Sequence, residues 1–285
     1  METLELERKD GIVTITLDRP EKKNAINGAM WTDLLAAFTE VADNDDDRVL
    51  VLTGRGDGFC SGADLSGGGR DETHPVERLR HIADVVLRLH RLSKPTIAKV
   101  NGVAAGAGCN LALCCDLVIA SDSARFSEIF ARRGLSLDCG GSWLLPRIVG
   151  MQKAKELALL AEIISAQEAL DIGLVNRVVP HDELDAVVAG MAEKIAAGPP
   201  LALSMSKTML NNAFMVSMDQ ALEDEARCQA VNLVTDDVKE AFSAFLEKRD
   251  PVFRSGAADH RAPAAGRPAR RLRSSSRGPT TTTWR

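Results

Sequence analysis

The apolar residues of this chain change period in a regular order. Residues 11–17 (GIVTITL) alternate β-branched and apolar side chains and run into Asp18-Arg19-Pro20, which predicts a strand leaving into a turn. Asn27 then supplies an N-cap, and Met30, Trp31, Leu34, Leu35 and Phe38 recur at helical spacing until the acidic stretch 43–47. Residues 48–53 (RVLVLT) form a short apolar run broken by Gly54, Gly56 and Gly58, the pattern of a buried parallel strand. A helix over 81–92 has to stop before Pro95, and 96–100 predicts the next strand. A further helix follows Gly106, then a strand at 117–120. Beyond Gly140 helical periodicity dominates almost to Arg249, interrupted by a strand predicted at 174–179. Strands and helices alternate first and helices follow, which predicts an α/β core with a helical C-terminal portion.

Composition places the chain among ordinary water-soluble globular proteins: 285 residues, 45% hydrophobic, 26% charged, with a mean hydropathy of -0.07. No apolar run approaches the roughly 20 residues of a membrane-spanning helix, so no membrane partner is expected. Residues 1–10 mix four acids with Arg8 and Lys9 and are expected to be neither a signal nor a transit peptide. Cys60, Cys109, Cys114, Cys115, Cys139 and Cys228 lack metal-ligand spacing and read as buried thiols of a cytoplasmic protein, with no metal site.

Charge divides the chain. From Arg254 to Arg285 there are eight arginines, no lysine and one acid, Asp259, a net +7 that leaves -12 on the body out of a total of -5. This tail has only Leu272 and Trp284 as large apolar residues, too few to bury a core, and is expected to be disordered. It reads as an extension outside the fold, with out-of-frame translation of GC-rich DNA as one origin. The other reading is an arm that neutralises nucleic-acid phosphates. No nucleic-acid partner is expected of the body.

Two small-residue turns carry the candidate chemistry. Residues 101–110 (NGVAAGAGCN) pass from a strand into a helix whose first amides favour negative charge, and residues 58–65 (GFCSGADL) form a second turn after a strand. One amide from each turn makes a two-donor oxyanion hole. Neither turn matches a dinucleotide fingerprint or a P-loop. Taken singly, each is more often a packing turn than a site.

Together with Asn24-Ala25-Ile26-Asn27, Lys94-Pro95, the block 101–116, Ile164 to Ala169, Gly173-Leu174-Val175 and Ala244 to Arg249, these turns resemble the crotonase, or enoyl-CoA hydratase/isomerase, superfamily over residues 4–254. The resemblance implies a spiral of β-β-α repeats with a helical trimerisation region, divided here as a core over 1–199, helices over 200–253 and the tail over 254–285. It implies a homotrimer or a dimer of trimers. It also implies that the backbone N–H groups of Ala63 and Ala107 bind the thioester carbonyl of an acyl-CoA and stabilise its enolate. CoA is then part of the substrate, no cofactor is required, and its adenine end is expected near Ala25 and the backbone of Ser61, Asp64 and Leu65. Lys248 is a candidate for CoA phosphates from a neighbouring subunit, with a solvated helix face as the other reading.

The two glutamates that hydratases of this superfamily use fall here on Asn110 and Phe130, an amide and a phenyl ring with no useful proton exchange. Both remain candidate substrate contacts. Glu128 is two residues off and is expected to point elsewhere. Asp138, in 134–147 (GLSLDCGGSWLLPR), resembles the catalytic aspartate of the epoxyphenylacetyl-CoA isomerase subgroup, and Leu135, Leu137 and Phe130 are expected to give it apolar surroundings. The competing reading is that Asp138 caps the helix near Gly140. Double-bond isomerisation with Asp138 as acid/base is the expected activity. Hydration through Asp138 and water, a nucleophilic Asp138, and a non-catalytic acyl-CoA or RNA-binding relative are the alternatives. His81 and His90 are expected to be surface or core residues, Asp116 and Asp64 to anchor turns, and Trp143 and Phe126 to pack the core.

Overall fold

The computed structural model describes residues 1–66 and 74–253. Its strands fall into two sheets that the chain visits in turn. The larger sheet has the order β1 (Leu4–Lys9), β2 (Ile12–Leu17), β3 (Val49–Gly54), β5 (Thr96–Val100), β7 (Leu117–Ser121) and β10 (Arg177–Val179). All neighbours are parallel except β1 and β2. The smaller sheet runs β4 (Gly58–Cys60), β6 (Val103–Ala105), β8 (Arg125–Ser127) and β9 (Ile164–Ser165), parallel except for its last pair. Consecutive strands β3 and β4, β5 and β6, and β7 and β8 are therefore one rung each in the two sheets. A helix follows each pair: α2 (Pro75–His90), α3 (Ala107–Cys114), and α4 (Gly141–Ile148) after a 3-10 turn at Ile129–Arg133. A parallel neighbour can be reached only through such a crossover, so repetition of the unit winds the chain into a spiral.

The expected α/β spiral of β-β-α units is what this order forms. β3 is buried along its whole length, as its unbroken apolar run requires. Asn27 caps α1 (Gly28–Asp43) by accepting the Met30 N–H at 2.9 Å, and Met30, Trp31, Leu34 and Phe38 face the core. Lys94 closes the other end of α1 by donating to the carbonyls of Val41, Ala42 and Asn44. The principal core joins α1, α2, α3 and the inner faces of both sheets. A smaller cluster packs α7 (Leu184–Ala196) on the outer face of β3, β5 and β7.

Several local expectations need correction. The charged N-terminal segment forms β1, whose alternating Leu4 and Leu6 pair with Leu17 and Ile15. Helix α2 starts at Pro75 and not at His81, because Pro is favoured in a first helical turn. The strand expected over 174–179 keeps only Arg177–Val179; Leu174 and Val175 are buried in the turn that leads into it. The turns at 58–65 and 101–110 contain the short strands β4 and β6. Five cysteines are buried, but Cys228 is half-exposed. The tail 254–285 lies outside the described residues.

The remaining helices are α5 (Gly150–Leu160), α6 (Ala166–Asp171), α8 (Pro200–Asn212), α9 (Met218–Asn232) and α10 (Asp236–Glu247). Neither α8 nor α9 contributes a buried residue. Among the described residues no single helix is long and apolar enough to cross a membrane.

Candidate active site

The two small-residue turns meet through glycines: Gly62 lies against the backbone of 105–107, and Gly108 lies against the Cys60 carbonyl. Gly62 has φ +100°, and a Cβ built on it would lie 2.8 Å from the Ala105 carbonyl oxygen and 3.8 Å from the Ala107 nitrogen. Gly106 has φ +52° and precedes Ala107, the first residue of α3. Only glycine takes such backbone without strain and without a side chain between the turns. Next to Gly62, Ile26 bridges Ala63: the Ile26 N–H donates to the Gly62 carbonyl at 2.8 Å, and the Asp64 N–H to the Ile26 carbonyl at 2.9 Å. Alternation of a pleated backbone then turns the Ala63 N–H to the opposite side. The Ala107 N–H is one of the four amides at a helix start that have no intrahelical acceptor. Neither amide has a hydrogen-bond partner among the described residues. Two amides without acceptors therefore belong to adjoining turns, and the one on Ala107 lies at the positive end of the α3 dipole.

Asp138 lies at the end of the loop that enters α4. Its carboxylate does not cap that helix: the N-cap position is Gly140, which makes no side-chain cap. Asp138 Oδ1 is instead buried without a partner. Burial raises the Asp138 carboxyl above the ordinary aspartate value, and a hydrogen bond from the Cys139 thiol opposes this. Its backbone carbonyl accepts the Gly141 N–H and Asn110 Nδ2, both at 3.0 Å. Phe130 is buried and packs its ring edge on Gly106, and Leu137 packs against the core. Leu135 is exposed and gives Asp138 no apolar cover.

Glu128 corrects the sequence reading. It sits at the start of a 3-10 turn rather than inside an α-helix, so helical spacing does not govern its direction. Its side chain is 2% exposed and aims at the same site: Oε2 accepts from Asn110 Nδ2 at 3.3 Å. Burial pushes its carboxyl up to about 7; the Cys109 thiol and Asn110 amide oppose the rise, and the Asp138 charge adds to it. A carboxyl whose folded value exceeds its ordinary 4.5 contributes stability that is complete below that value and is lost as pH rises through about 7. Between pH 4.5 and 8 this one group is expected to cost roughly 3 kcal/mol. Urea unfolding of wild type and Glu128→Gln at both pH values checks it, and equal losses in the two proteins contradict it.

The loop opposite is anchored from within. Arg19 donates to the Ala25 carbonyl at 2.6 Å and to Asp64 at 2.8 Å, and Asp64 also accepts from the Ser66 N–H and hydroxyl. The Ser66 bonds and the Arg19 bond hold the Asp64 carboxyl well below the usual range. Its side chain thus anchors this loop. Ser61 is bonded to the carbonyls of Lys22 and Lys23, which lays 23–26 along 61–64 and leaves Leu65 exposed. Buried Asn24 and Asn101 tie the β3–β4 loop through Gly54, Arg55, Gly56 and Gly58. Asp116 accepts from Thr96 and pairs with Lys207 at 2.8 Å, the turn role expected of it. Phe126 is a core residue.

A cavity of about 580 Å³ opens beside Gly140 at the Cys114 end of α3. Val86, Leu92, Leu144 and Trp143 give it apolar walls, with His90 and Lys207 as polar groups. Trp143 packs against the core as expected and also lines this cavity; His90 meets it edge-on at 5.2 Å and Arg147 covers its face at 3.9 Å. Burial and the Lys207 charge lower the His90 value, so the ring is neutral near pH 7. Neither Ala63 nor Ala107 lines the cavity. Length along α3 puts it about 10 Å from Ala107.

The model of the family described as enoyl-CoA hydratase/isomerase matches residues 7–256. The chain belongs to that family. It is 41% identical over 248 residues to 1,2-epoxyphenylacetyl-CoA isomerase of Escherichia coli (strain K12), covering 85% of this chain and 95% of that one. It is 37% identical over 246 residues to short-chain-enoyl-CoA hydratase of Clostridium acetobutylicum, covering 86% and 94%. The crystal structure of enoyl-CoA hydratase from Bacillus anthracis superimposes with a TM-score of 0.84 at 32% identity, over 88% of this chain and 98% of that chain. Within this enoyl-CoA hydratase/isomerase chain, Lys248 stands exposed at the end of α10 with φ +55°. His81 lines no part of the cavity. No group of three or more His, Cys, Asp or Glu is arranged to hold a metal among the described residues.

Proposed function

We propose that the protein moves a carbon–carbon double bond within an unsaturated acyl-CoA thioester, with Asp138 as the acid/base. The observation that carries this reading is the buried, unpartnered Oδ1 of Asp138, beside paired amides and in a site where the other two family positions are Asn110 and Phe130. The thioester oxygen accepts from the Ala63 and Ala107 N–H groups, which makes protons conjugated with the carbonyl more acidic. The Asp138 carboxylate removes one, and the electron pair of that C–H bond enters a dienolate whose charge rests on the thioester oxygen. The protonated Asp138 returns the same proton to the far carbon, and the double bond re-forms in its new place. The step balances without another reactant, because CoA is part of the substrate. The acyl end extends along α3 towards the Trp143 cavity, and the adenine end lies over 23–26 and 61–65. Incubation with a β,γ-unsaturated acyl-CoA tests the reading: absorbance of the conjugated thioester is expected to rise, and a flat trace contradicts it.

Hydration is the second reading, favoured by Glu128 as another carboxyl in the same site. It makes absorbance of a conjugated substrate fall as water adds. Six free thiols fit a reducing compartment such as the cytoplasm.

The assembly we propose is a trimer or a dimer of trimers through the C-terminal helices. Phe245 and Leu246 on α10 are 79% and 80% exposed in the single chain, and Phe214, Met218 and Val234 add to the apolar surface. Phe245→Asp with Leu246→Asp is expected to shift the mass in analytical ultracentrifugation to a smaller species. An unchanged mass contradicts these residues as the interface.

A further inference from the structure

Two adjacent side chains in this site lack the same thing. Asn110 Oδ1 and Glu128 Oε1 are both buried acceptors without partners, although their other atoms already touch through Nδ2 and Oε2 at 3.3 Å. Buried acceptors left unsatisfied are expensive, and an amide oxygen beside a carboxylate oxygen has no hydrogen to share. One proton on Glu128 Oε1 supplies the missing donor for both. It would add an O–H to Oδ1 bond to the observed N–H to Oε2 contact and so close a two-bond acid–amide pair. The second amide hydrogen of Asn110 remains on the Asp138 carbonyl at 3.0 Å. Gly141 abuts the same amide so closely that a Cβ there would lie 2.5 Å from Nδ2. We infer that Glu128 is a positioning residue that works as a protonated acid, locking the Asn110 amide that holds the Asp138 loop.

The inference rests on the reading of Asp138 as the acid/base. Burial supports the protonated form up to about pH 7. The titratable groups that face Glu128 are Cys109 and Asp138. Burial, with Glu128 itself, raises the Cys109 thiol well above its ordinary value, so it stays neutral. A charged Asp138 favours the proton on Glu128.

Isomerisation kinetics of wild type, Glu128→Gln and Glu128→Leu, followed from pH 5.5 to 9, test the role. Wild-type kcat is expected to fall as pH rises through about 7, because ionisation breaks the acid–amide pair. Glutamine carries its donor at every pH, so E128Q should keep kcat within about threefold at pH 6 and lose that alkaline fall. E128L should lose about tenfold in kcat with KM little changed, the scale of one lost hydrogen bond. An E128Q as inactive as Asp138→Asn, or an E128L with wild-type kcat, overturns the inference. The infrared carbonyl band of a protonated acid at pH 6 separates it from the Asp138 reading. The band is expected in D138N and absent from the D138N/E128Q double variant. A D138N protein without the band overturns the inference alone, and a fully active D138N overturns the Asp138 reading alone.

Discussion

Asp138→Asn is expected to lower kcat for double-bond migration by about 10²- to 10⁴-fold, the range of a positioned general acid/base. Acyl-CoA binding should change little, because asparagine keeps the size of the side chain and Oδ1 makes no hydrogen bond in the fold. Thermal stability should hold or rise slightly, since asparagine removes the burial penalty on the charged form. Steady-state kinetics with direct measurement of acyl-CoA affinity separates these effects. A variant that loses affinity and keeps kcat would make Asp138 a binding residue.

Gly62→Val is the second large effect. The new Cβ would press on the Ala105 carbonyl from 2.8 Å, at a φ of +100° that a β-branched residue strains to adopt. The two turns must separate, so the Ala63 and Ala107 amides can no longer meet one oxygen. Loss of one such donor lowers kcat by about 10²- to 10³-fold. Overpacking and backbone strain are expected to cost about 1 to 3 kcal/mol in unfolding experiments. Should the variant not fold, Gly62→Ala places the smaller group in the same position and should show the same ranking. Wild-type kcat in a folded Gly62→Ala would contradict the paired-amide site.

Much of this was legible because apolar period and turn residues act locally. The run at β3, the cap at Asn27 and the stop before Pro95 each follow from nearest-neighbour chemistry, and the structure contains all three. The small-residue turns around Gly62 and Gly106 were legible in composition, while the choice of the Ala63 and Ala107 amides as oxyanion donors comes from the family resemblance. Glu128 was not legible. Its direction depends on a 3-10 turn, and its partner Asn110 comes from another rung of the spiral. The cavity beside Trp143 was not legible either: an aromatic residue on a helix gives no sign of whether its neighbours close around it fully or leave space on one side. Strand β1 was hidden by charge, although Leu4 and Leu6 alternate with Glu5 and Glu7 as an edge strand should.

The most direct measurement is the mass of the product that wild-type protein forms from a β,γ-unsaturated acyl-CoA, read together with its conjugated-thioester absorbance. Proton transfer by Asp138 predicts a conjugated product with the mass of the substrate. A first-formed product heavier by one water would contradict isomerisation as the primary reaction.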